Sequence, residues 1–340
     1  MRATISQCII LHKFPERNTQ MDSAKIIAFQ AVVMFILLFF GFFLYKKKML
    51  SDESTKQLSA ITLTIVNPIV IFNSYMMEFD IQLLKGLAIA VGLAVVAHLA
   101  LIAASSIAVR KSKPNYMIER FATIYSNCGF MGIPLVKATF GDEGVFYLTG
   151  FITVFNLFMW THGTLMMSGQ KSSGFSDTAK NIGKVLLSPA IIAIALGMVF
   201  FFTGLRLPSV VQTPLDYIGS LNTPLAMIVS GATIAKAGLL RGFKCGRVYY
   251  VQLFKLILVP AVLTLVFVPL VKLGVSLTVI NTILIAASAP TASATIMFSY
   301  KHGRDESYAS GHFAVSTIAS MGTMPLVLLL SAVISGVLTG

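Results

Sequence analysis

The feature that most constrains this chain is an apolar run over residues 117–140 that is interrupted at 126–134. The run is long enough to cross the hydrocarbon core of a bilayer, which takes roughly 20 residues. Its middle contains Gly129, Gly132 and Pro134, and inside a helix glycine costs about 1 kcal/mol and proline about 3 relative to alanine. Because lipid offers no partner to a released backbone amide, the interruption must be buried in protein or line a wet cavity. Interrupted helices of this kind hold substrate sites in transporters.

The composition is typical of an integral membrane protein. Hydrophobic residues make up 56% and charged residues 11% of the 340 positions, against about 25% charged in soluble domains. The net charge of +13 comes from Lys and Arg in short gaps between apolar runs. This distribution argues against nucleic-acid binding and is typical of cytoplasmic loops. The three cysteines show no metal-like spacing, so we expect no disulfide framework, no metal and no cofactor.

Ten apolar segments follow one another along the chain, and we predict a membrane-spanning helix for each. Residues 1–24 precede them as an N-terminal extension. We hypothesise that 1–20 are disordered or lie upstream of a true start at Met21, because their apolar patch is too short for a signal peptide. The predicted segments are 25–45, 58–77, 82–109, 117–140, 144–167, 184–204, 213–236, 248–271, 276–300 and 308–338.

The distribution of positive charge predicts the orientation of these segments. Seventeen lysines and arginines follow the odd-numbered segments, whereas four follow the even-numbered ones. The positive-inside rule therefore places both termini outside the cytoplasm. The polar stretch 169–183 then becomes a cytoplasmic linker between two five-helix halves, 25–168 and 184–340. With five spans in the first half, the two halves lie in opposite orientations.

Prolines recur at matched places in the two halves. Pro68 and Pro134 are 66 residues apart, as are Pro224 and Pro290. We therefore predict helix breaks at Pro68 and Pro224, together with broken fourth and ninth helices. Paired interruptions of this kind indicate an inverted-repeat transporter. The alternative is that these prolines only kink packed helices, which membrane helices tolerate.

Three motifs carry a resemblance to a known family: NPIVIF in the second segment, SNCGFMGIPLV in the fourth and SAPTASATIMFS in the ninth. With the five-plus-five plan, they resemble the auxin efflux carrier family, which includes plant PIN carriers and bacterial malate- and malonate-type permeases. The resemblance implies an all-α fold of two inverted five-helix repeats, similar to sodium/proton antiporters and bile-acid symporters, with broken helices 4 and 9 crossing in mid-membrane.

The same resemblance implies a function. It predicts a permease of the plasma membrane that moves an organic anion by an elevator-like motion of a transport domain against a scaffold domain, and it implies a homodimer. The short 169–183 linker fits a prokaryotic-type carrier better than a hormone exporter. A malate- or malonate-type acid is therefore favoured over an auxin-like acid.

An anion in mid-membrane needs hydrogen-bond donors and positive potential. A restarting helix provides both through its free N–H groups and its dipole. Asn67 and Asn222 either contact the substrate or only bond backbone groups that Pro68 and Pro224 release. The residues predicted to bind substrate are Ser126, Asn127, Gly129, Gly132, Pro134, Ser288, Pro290, Thr291, Ser293, Asn67 and Asn222.

Ionisable residues inside spans are functional candidates by default. His98 either carries a proton or is a neutral histidine bonded to a neighbouring helix. Lys255 either pairs with an anion or snorkels to the cytoplasmic surface, and snorkelling is the favoured interpretation. Glu119, His162 and His312 fall near the cytoplasmic ends of their segments, where we expect a wetted interface.

Other function classes find less support. The chain has no HExxH or G-x-S-x-G motif, which argues against a membrane enzyme. Neither charged rings nor a filter motif is evident, as a channel would require. A cation- or proton-coupled antiporter normally needs a mid-membrane Asp pair, which is missing. Symport of another substrate class and a membrane sensor stay open as alternatives.

Overall fold

The computed structural model describes residues 16–169, 183, 185–237 and 244–339, with side chains from Phe29 onward. This part of the chain is almost entirely helical and contains no β-strand. Helix suits an apolar sequence in lipid because it satisfies every backbone group within the segment. In chain order the helices are α1 (Glu16–Lys46), α2 (Asp52–Asn73), α3 (Ile81–Ala108), α4 (Tyr116–Ile124), α5 (Cys128–Ser168), α6 (Pro189–Thr203), α7 (Ser209–Ser220), α8 (Asn222–Ala237), α9 (Gly246–Leu273), α10 (Leu277–Ser288), α11 (Ala294–Lys301) and α12 (Glu306–Thr339).

Seven helical stretches of the described residues are long and apolar enough to cross a membrane. Large apolar side chains on their outer faces are exposed, for example Phe29 at 70% and Val210 at 83%, as lipid contact requires. The chain is therefore an all-helical, multi-pass membrane protein. The count falls below the ten predicted segments because two helices are too short to be counted, and because α5 joins the end of the fourth segment to the fifth across a kink at Gly141, where φ is 62° and ψ is −148°. Helix α6 has 15 residues and α10 has 12, and the fourth segment is divided between α4 and α5.

Among the prolines inside continuing helices, three share one local feature. A π-helical turn ends two residues before each: Thr62–Val66 before Pro68, Cys128–Gly132 before Pro134, and Phe254–Leu258 before Pro260. Proline removes one hydrogen bond and its ring clashes with the carbonyl four residues earlier. A π turn widens the helix at that carbonyl and relieves the clash.

This arrangement corrects two predictions. The helix does not break at Pro68, and Pro134 lies in the first turn of regular helix beyond the break. In α2, the hydroxyls of Thr62 and Thr64 donate to the carbonyls of Leu58 and Ala60 at 2.7 Å each, a type of bond that often bends a helix. The alternative, that proline only distorts a packed helix, is the right one at Pro68.

The predicted break at Pro224 is also wrong in its position. Regular helix is interrupted three residues earlier, at Leu221, where φ −70° and ψ −11° stay in the right-handed helical region. Helix α8 then begins at Asn222, so Pro224 lies in its first turn, where a proline N–H would have no intrahelical acceptor. Because Pro68 and Pro134 do not break their helices, the equal 66-residue spacing does not mark equivalent breaks.

The helices pack in two groups. Helices α1, α2, α6, α7 and α8, which we call the frame helices, pack against one another: α1 lies along α8, and α2 along α6. Helices α3, α4, α5, α9, α10, α11 and α12, the crossing helices, form the other group, with α3, α5 and α10 in mutual contact. The groups meet where α1 and α8 contact α12, and where α1, α2 and α8 contact α5. Each half of the chain contributes helices to both groups.

Two expectations fall at the margins of the described chain. Residues 1–15 of the predicted extension lie outside the described residues, whereas 16–20 are helical backbone in α1. The predicted linker 169–183 also lies outside them, apart from its two end residues.

Candidate functional site

The interruptions of two helices face each other inside the crossing group. Helix α4 ends at Ile124 and Tyr125 is extended (φ −93°, ψ 119°), while α10 ends at Ser288 and Ala289 is extended (φ −59°, ψ 151°). An extended residue before Pro290 is what proline imposes sterically. The two interruptions lie antiparallel, with a bridge between Ser126 and Thr291.

Each interruption satisfies backbone groups of the other. The Asn127 N–H donates to the Pro290 carbonyl at 2.7 Å, and the Ala292 N–H donates to the Tyr125 carbonyl at 2.9 Å. Buried backbone groups are costly to leave unpaired, so this exchange permits two helices to stop inside the protein. We call the paired segments 125–127 and 289–293 the crossing.

The second segment of the crossing is held by side chains behind it. The Thr291 N–H donates to Ser316 Oγ at 3.0 Å, and Thr291 Oγ1 donates to the Ala122 carbonyl at 3.0 Å. Gln252 Nε2 contacts Thr291 Oγ1 at 3.1 Å and His312 Nδ1 at 3.0 Å. All of these side chains are buried. Thr291 is therefore fixed from three helices, α4, α9 and α12.

The first segment carries a buried lysine beneath it. Lys255 is 0% exposed, and its Nζ donates to Ser126 Oγ at 2.6 Å; Ser126 Oγ in turn donates to the Ala287 carbonyl at 3.2 Å. The snorkelling interpretation of Lys255 is wrong, because the side chain points inward from the π turn of α9. The ion pairs of the described residues do not include Lys255, so in its charged form this side chain would leave positive potential at the crossing.

A cavity of about 910 Å³ opens in front of the crossing, and we call it the larger cavity. It lies between the frame helices and the crossing helices. Asn127 is 5% exposed, and its Nδ2 has no hydrogen-bond partner among the described residues. No side chain caps the helix that follows, and the first N–H groups of a helix have no intrahelical acceptor. Of the residues predicted to bind substrate, those lining this cavity are Asn67, Ser126, Asn127, Gly129 and Ser293.

The other predicted residues lie elsewhere. Ser288 Oγ donates to the Ile285 carbonyl of its own helix at 3.2 Å. Thr291 faces the support described above, and Pro290 contributes its carbonyl to Asn127. The residues absent from the lining of the larger cavity are Gly132, Pro134, Ser288, Pro290, Thr291 and Asn222.

The walls of the larger cavity are mostly apolar and aromatic. Phe130, Phe155, Trp160 and Phe313 line it, and none of them was singled out from the sequence. At its mouth, Lys236 Nζ pairs with Asp52 Oδ2 at 3.0 Å, both side chains being about half exposed; such a pair contributes little energy. Sequence reasoning missed these wall residues because apolar positions in a membrane helix give no sign of which face meets a cavity.

A smaller cavity of about 570 Å³ lies beyond the larger one, lined by Asn222, Asp216, Arg206 and Lys137 among others. Asp216 Oδ1 accepts from Asn73 Nδ2 at 3.0 Å and Gln212 Nε2 at 2.8 Å, and Lys137 pairs with Asp142.

The two predicted asparagines are bonded to each other. Asn222 Nδ2 donates to Asn67 Oδ1 at 2.5 Å, and Asn67 Nδ2 makes a long bond of 3.4 Å to the Gly129 carbonyl. Both residues are 4% exposed. Neither of these bonds reaches the backbone groups that Pro68 and Pro224 release, so the backbone-capping interpretation is not the one observed.

His98 lies away from both cavities. Its ring is buried against Phe151 and Phe158, with centroids 4.8 and 5.4 Å away, and Nδ1 bonds the Ala94 carbonyl of its own helix at 2.8 Å. The expected bond to a neighbouring helix is therefore replaced by aromatic packing and an intrahelical bond.

The interface expected around Glu119 and His312 is not wet. Glu119 is 3% and His312 0% exposed. Glu119 Oε2 accepts from Arg247 Nη2 at 2.7 Å, and its Oε1 accepts from the Tyr308 hydroxyl at 2.9 Å. These bonds tie α4, α9 and α12 together below the crossing. His162 is partly buried, with Nδ1 at 2.9 Å from the Tyr125 hydroxyl.

A multi-pass helical protein with two facing helix interruptions and an internal cavity beside them belongs to the class of membrane transporters. The sequence profile of the Mem_trans family, membrane transport proteins, matches residues 26–328. The chain belongs to this family, and the resemblance to auxin efflux carriers is confirmed at the level of family.

The individual relatives have low sequence identity to this chain, 24% and 25%. A Rhizobium meliloti protein named "Putative malonate transporter" is 24% identical over 212 residues, covering 61% of this chain and 64% of the relative. An "Uncharacterized transporter" of Methanothermobacter thermautotrophicus is 25% identical over 224 residues, covering 60% and 65%. The chain thus spans less than two thirds of the length of these curated relatives.

Proposed function

We propose that this protein is a secondary carrier of organic anions and binds their carboxylate at the crossing. The observation that supports this most strongly is the Asn127 amide, buried at the head of the larger cavity with Nδ2 unpartnered. An unpaired buried donor costs about 1–3 kcal/mol, and a carboxylate oxygen would satisfy it. The free N–H groups at the start of α5 and the buried ammonium of Lys255 favour the same negative charge.

The cavity walls bear on the substrate. A donor cluster at one end and aromatic walls elsewhere suit a carboxylate attached to a less polar body. The Rhizobium meliloti relative is named for malonate, which is a small dicarboxylate. Malonate and malate are therefore the first acids to test, and an indole acid is the second class because Phe130, Phe155 and Trp160 line the cavity.

The packing of the helices supports an elevator-type mechanism. The crossing belongs to one group of helices, and the larger cavity lies between this group and the frame. Sliding of the crossing helices against the frame would carry a bound anion without opening a continuous pore. Each half supplies the corresponding members of both groups, α1 and α2 with α6–α8, and α3–α5 with α9–α12. This correspondence supports two inverted five-helix repeats in a ten-span arrangement.

The orientation follows the same logic. Asp52, Lys56 and Lys236 line the larger cavity at its mouth, on the side of the gaps rich in Lys and Arg. The positive-inside rule makes that side the cytoplasm. We therefore propose that the larger cavity opens to the cytoplasm and that both termini lie outside a plasma membrane.

The experiment is uptake into proteoliposomes with labelled malonate, malate and an indole acid, with and without proton and sodium gradients. We expect saturable uptake of at least one acid, and competition for uptake by its unlabelled form. The matched control is Asn127→Ala, which should weaken uptake at equal protein incorporation. The carrier proposal would be contradicted if uptake into proteoliposomes were no greater than uptake into empty liposomes for every acid. A conductance resolved from single molecules would also contradict it.

A further inference from the structure

The larger and smaller cavities approach each other from opposite ends of the molecule. Asn67 lines the larger cavity and Asn222 lines the smaller one. Their side chains are joined by the 2.5 Å bond from Asn222 Nδ2 to Asn67 Oδ1. Neighbouring residues of α2 show the same division, since Ile71 lines the larger cavity and Val70 the smaller.

We propose that Asn67 and Asn222 form the partition that keeps the two cavities separate. Both side chains are 4% exposed, and both belong to the frame helices, so the partition can stay fixed while other helices move. The proposal deepens the carrier function proposed above and rests on it, but its tests need no substrate.

The third member of the partition comes from the crossing helices. Asn67 Nδ2 reaches the Gly129 carbonyl at 3.4 Å, in the π turn at the start of α5. A Cβ added at Gly129 would lie 3.3 Å from the same Nδ2, so the backbone there approaches the asparagine closely. The bond at 3.4 Å is weak by geometry, as a contact that must separate during transport should be. In contrast, the short bond between the asparagines lies within the frame.

An amide pair suits this position better than apolar side chains would. Each amide has a donor and an acceptor, so the pair can bond to each other and to a passing backbone carbonyl. A water-filled path across the protein would dissipate gradients, and two interlocked side chains close it with little bulk.

The first test is thiol accessibility from each side of the membrane. In a full-length background carrying Cys8→Ser, Cys128→Ala and Cys245→Ser, single cysteines are introduced by Asn67→Cys and Asn222→Cys. A charged, membrane-impermeant methanethiosulfonate is then added to one side of oriented proteoliposomes. Ser59→Cys in the larger cavity and Ser220→Cys in the smaller cavity define the two sides.

We expect the Asn67→Cys variant to react only from the Ser59 side and the Asn222→Cys variant only from the Ser220 side. Two adjacent side chains that only filled a core would not be expected to react with the reagent from opposite sides of the membrane. Reaction of both from one side, or of either from both sides, would overturn the proposal. Should these variants fail to fold, Ile71→Cys and Val70→Cys make the same comparison without disturbing the amide pair.

The second test measures leak. The double variant Asn67→Ala with Asn222→Ala should raise the passive chloride flux of proteoliposomes above that of the unmodified protein. An unchanged flux in a correctly folded double variant would count against the partition. Because neither readout depends on the transported acid, a failed uptake assay and a failed partition are distinguishable.

Discussion

The two segments of the crossing differ in how their polar groups are satisfied. Thr291 in the second segment is bonded through both its backbone and its hydroxyl, to Ser316, Ala122 and Gln252. Asn127 in the first segment bonds through its backbone, where its N–H donates to the Pro290 carbonyl and its own carbonyl accepts from the Met131 N–H, while its amide Nδ2 has no partner among the described residues. The difference indicates that the two segments have different roles. The second segment, which we call the anchor, is held in place by its neighbours, and the first segment faces the larger cavity with a donor available for a substrate.

The largest expected effect comes from Lys255, which lies under the cavity-facing segment. Lys255→Met should weaken anion binding roughly thirtyfold, because a charged ammonium several ångströms from the carboxylate contributes on the order of 2 kcal/mol at an effective dielectric constant of about 20. The melting temperature should not fall, since apolar replacement of a buried charge is often neutral or stabilising. The apparent KM for uptake and a thermal melt measure the two effects. An unchanged KM would mean that Lys255 only holds Ser126 in place and does not act on the anion.

Thr291→Val tests the anchor. The change keeps the shape of the side chain but removes the hydroxyl that pairs with the Ala122 carbonyl and Gln252 Nε2. Leaving those buried groups unpaired should cost about 2 kcal/mol of unfolding free energy. Thermal unfolding in detergent measures this loss, and the apparent KM of the folded fraction should stay unchanged. A weakened KM at full stability would break the proposed division between the two segments.

Asn127→Ala makes the reciprocal test on the binding segment. Loss of one donor to a carboxylate should weaken uptake about tenfold, or about 1.4 kcal/mol. Stability should hold or rise, because a buried unpartnered amide is removed. Asn127→Asp is the matched control of similar size, and its negative charge should weaken uptake further. Equal uptake by all three proteins would refute substrate contact at this position.

The smallest effect is expected at Ser316, whose Oγ accepts from the Thr291 N–H. Ser316→Ala should lower the unfolding free energy by about 1 kcal/mol, because one buried N–H loses its partner. Hydrogen exchange at Thr291 should accelerate, while uptake kinetics should not change. A drop in transport without faster exchange would place Ser316 in the transport step instead of the anchor.

Some of this arrangement was predictable from the sequence. The run at 126–134 pointed to an interrupted helix, and Ala289–Pro290 is extended for a local steric reason. Pro134 misled the prediction, because a π turn absorbed it and the break occurred at 125–127. That break depends on bonds to Pro290 and Ala292, which lie more than 160 residues away along the chain, and no local pattern records such a partner.

The site shows the same limit. Ser126 and Asn127 were recognised as hydrogen-bond donors from their residue types. Which of the two can bind a ligand was not predictable, because Lys255 bonds to Ser126 and no described residue bonds to Asn127 Nδ2. Lys255 itself was interpreted as snorkelling because its depth along α9 is compatible with that. Snorkelling is excluded only because Lys255 lies on the face of α9 that points to the crossing. In a uniformly apolar helix, the sequence gives little information about which face points inward.

The contact between α1 and α8 has a consequence for assembly. A Cβ at Gly41 would lie 2.2 Å from the Ile228 carbonyl oxygen, and one at Gly231 would lie 1.9 Å from that of Leu38, so the two helices touch backbone to backbone. Helix α1 comes from the first half of the chain and α8 from the second, so the two halves associate through this contact and not only through the peptide that joins them. Two fragments translated separately and divided within 169–183 should still find each other in the bilayer, and a valine at either glycine position should keep them apart.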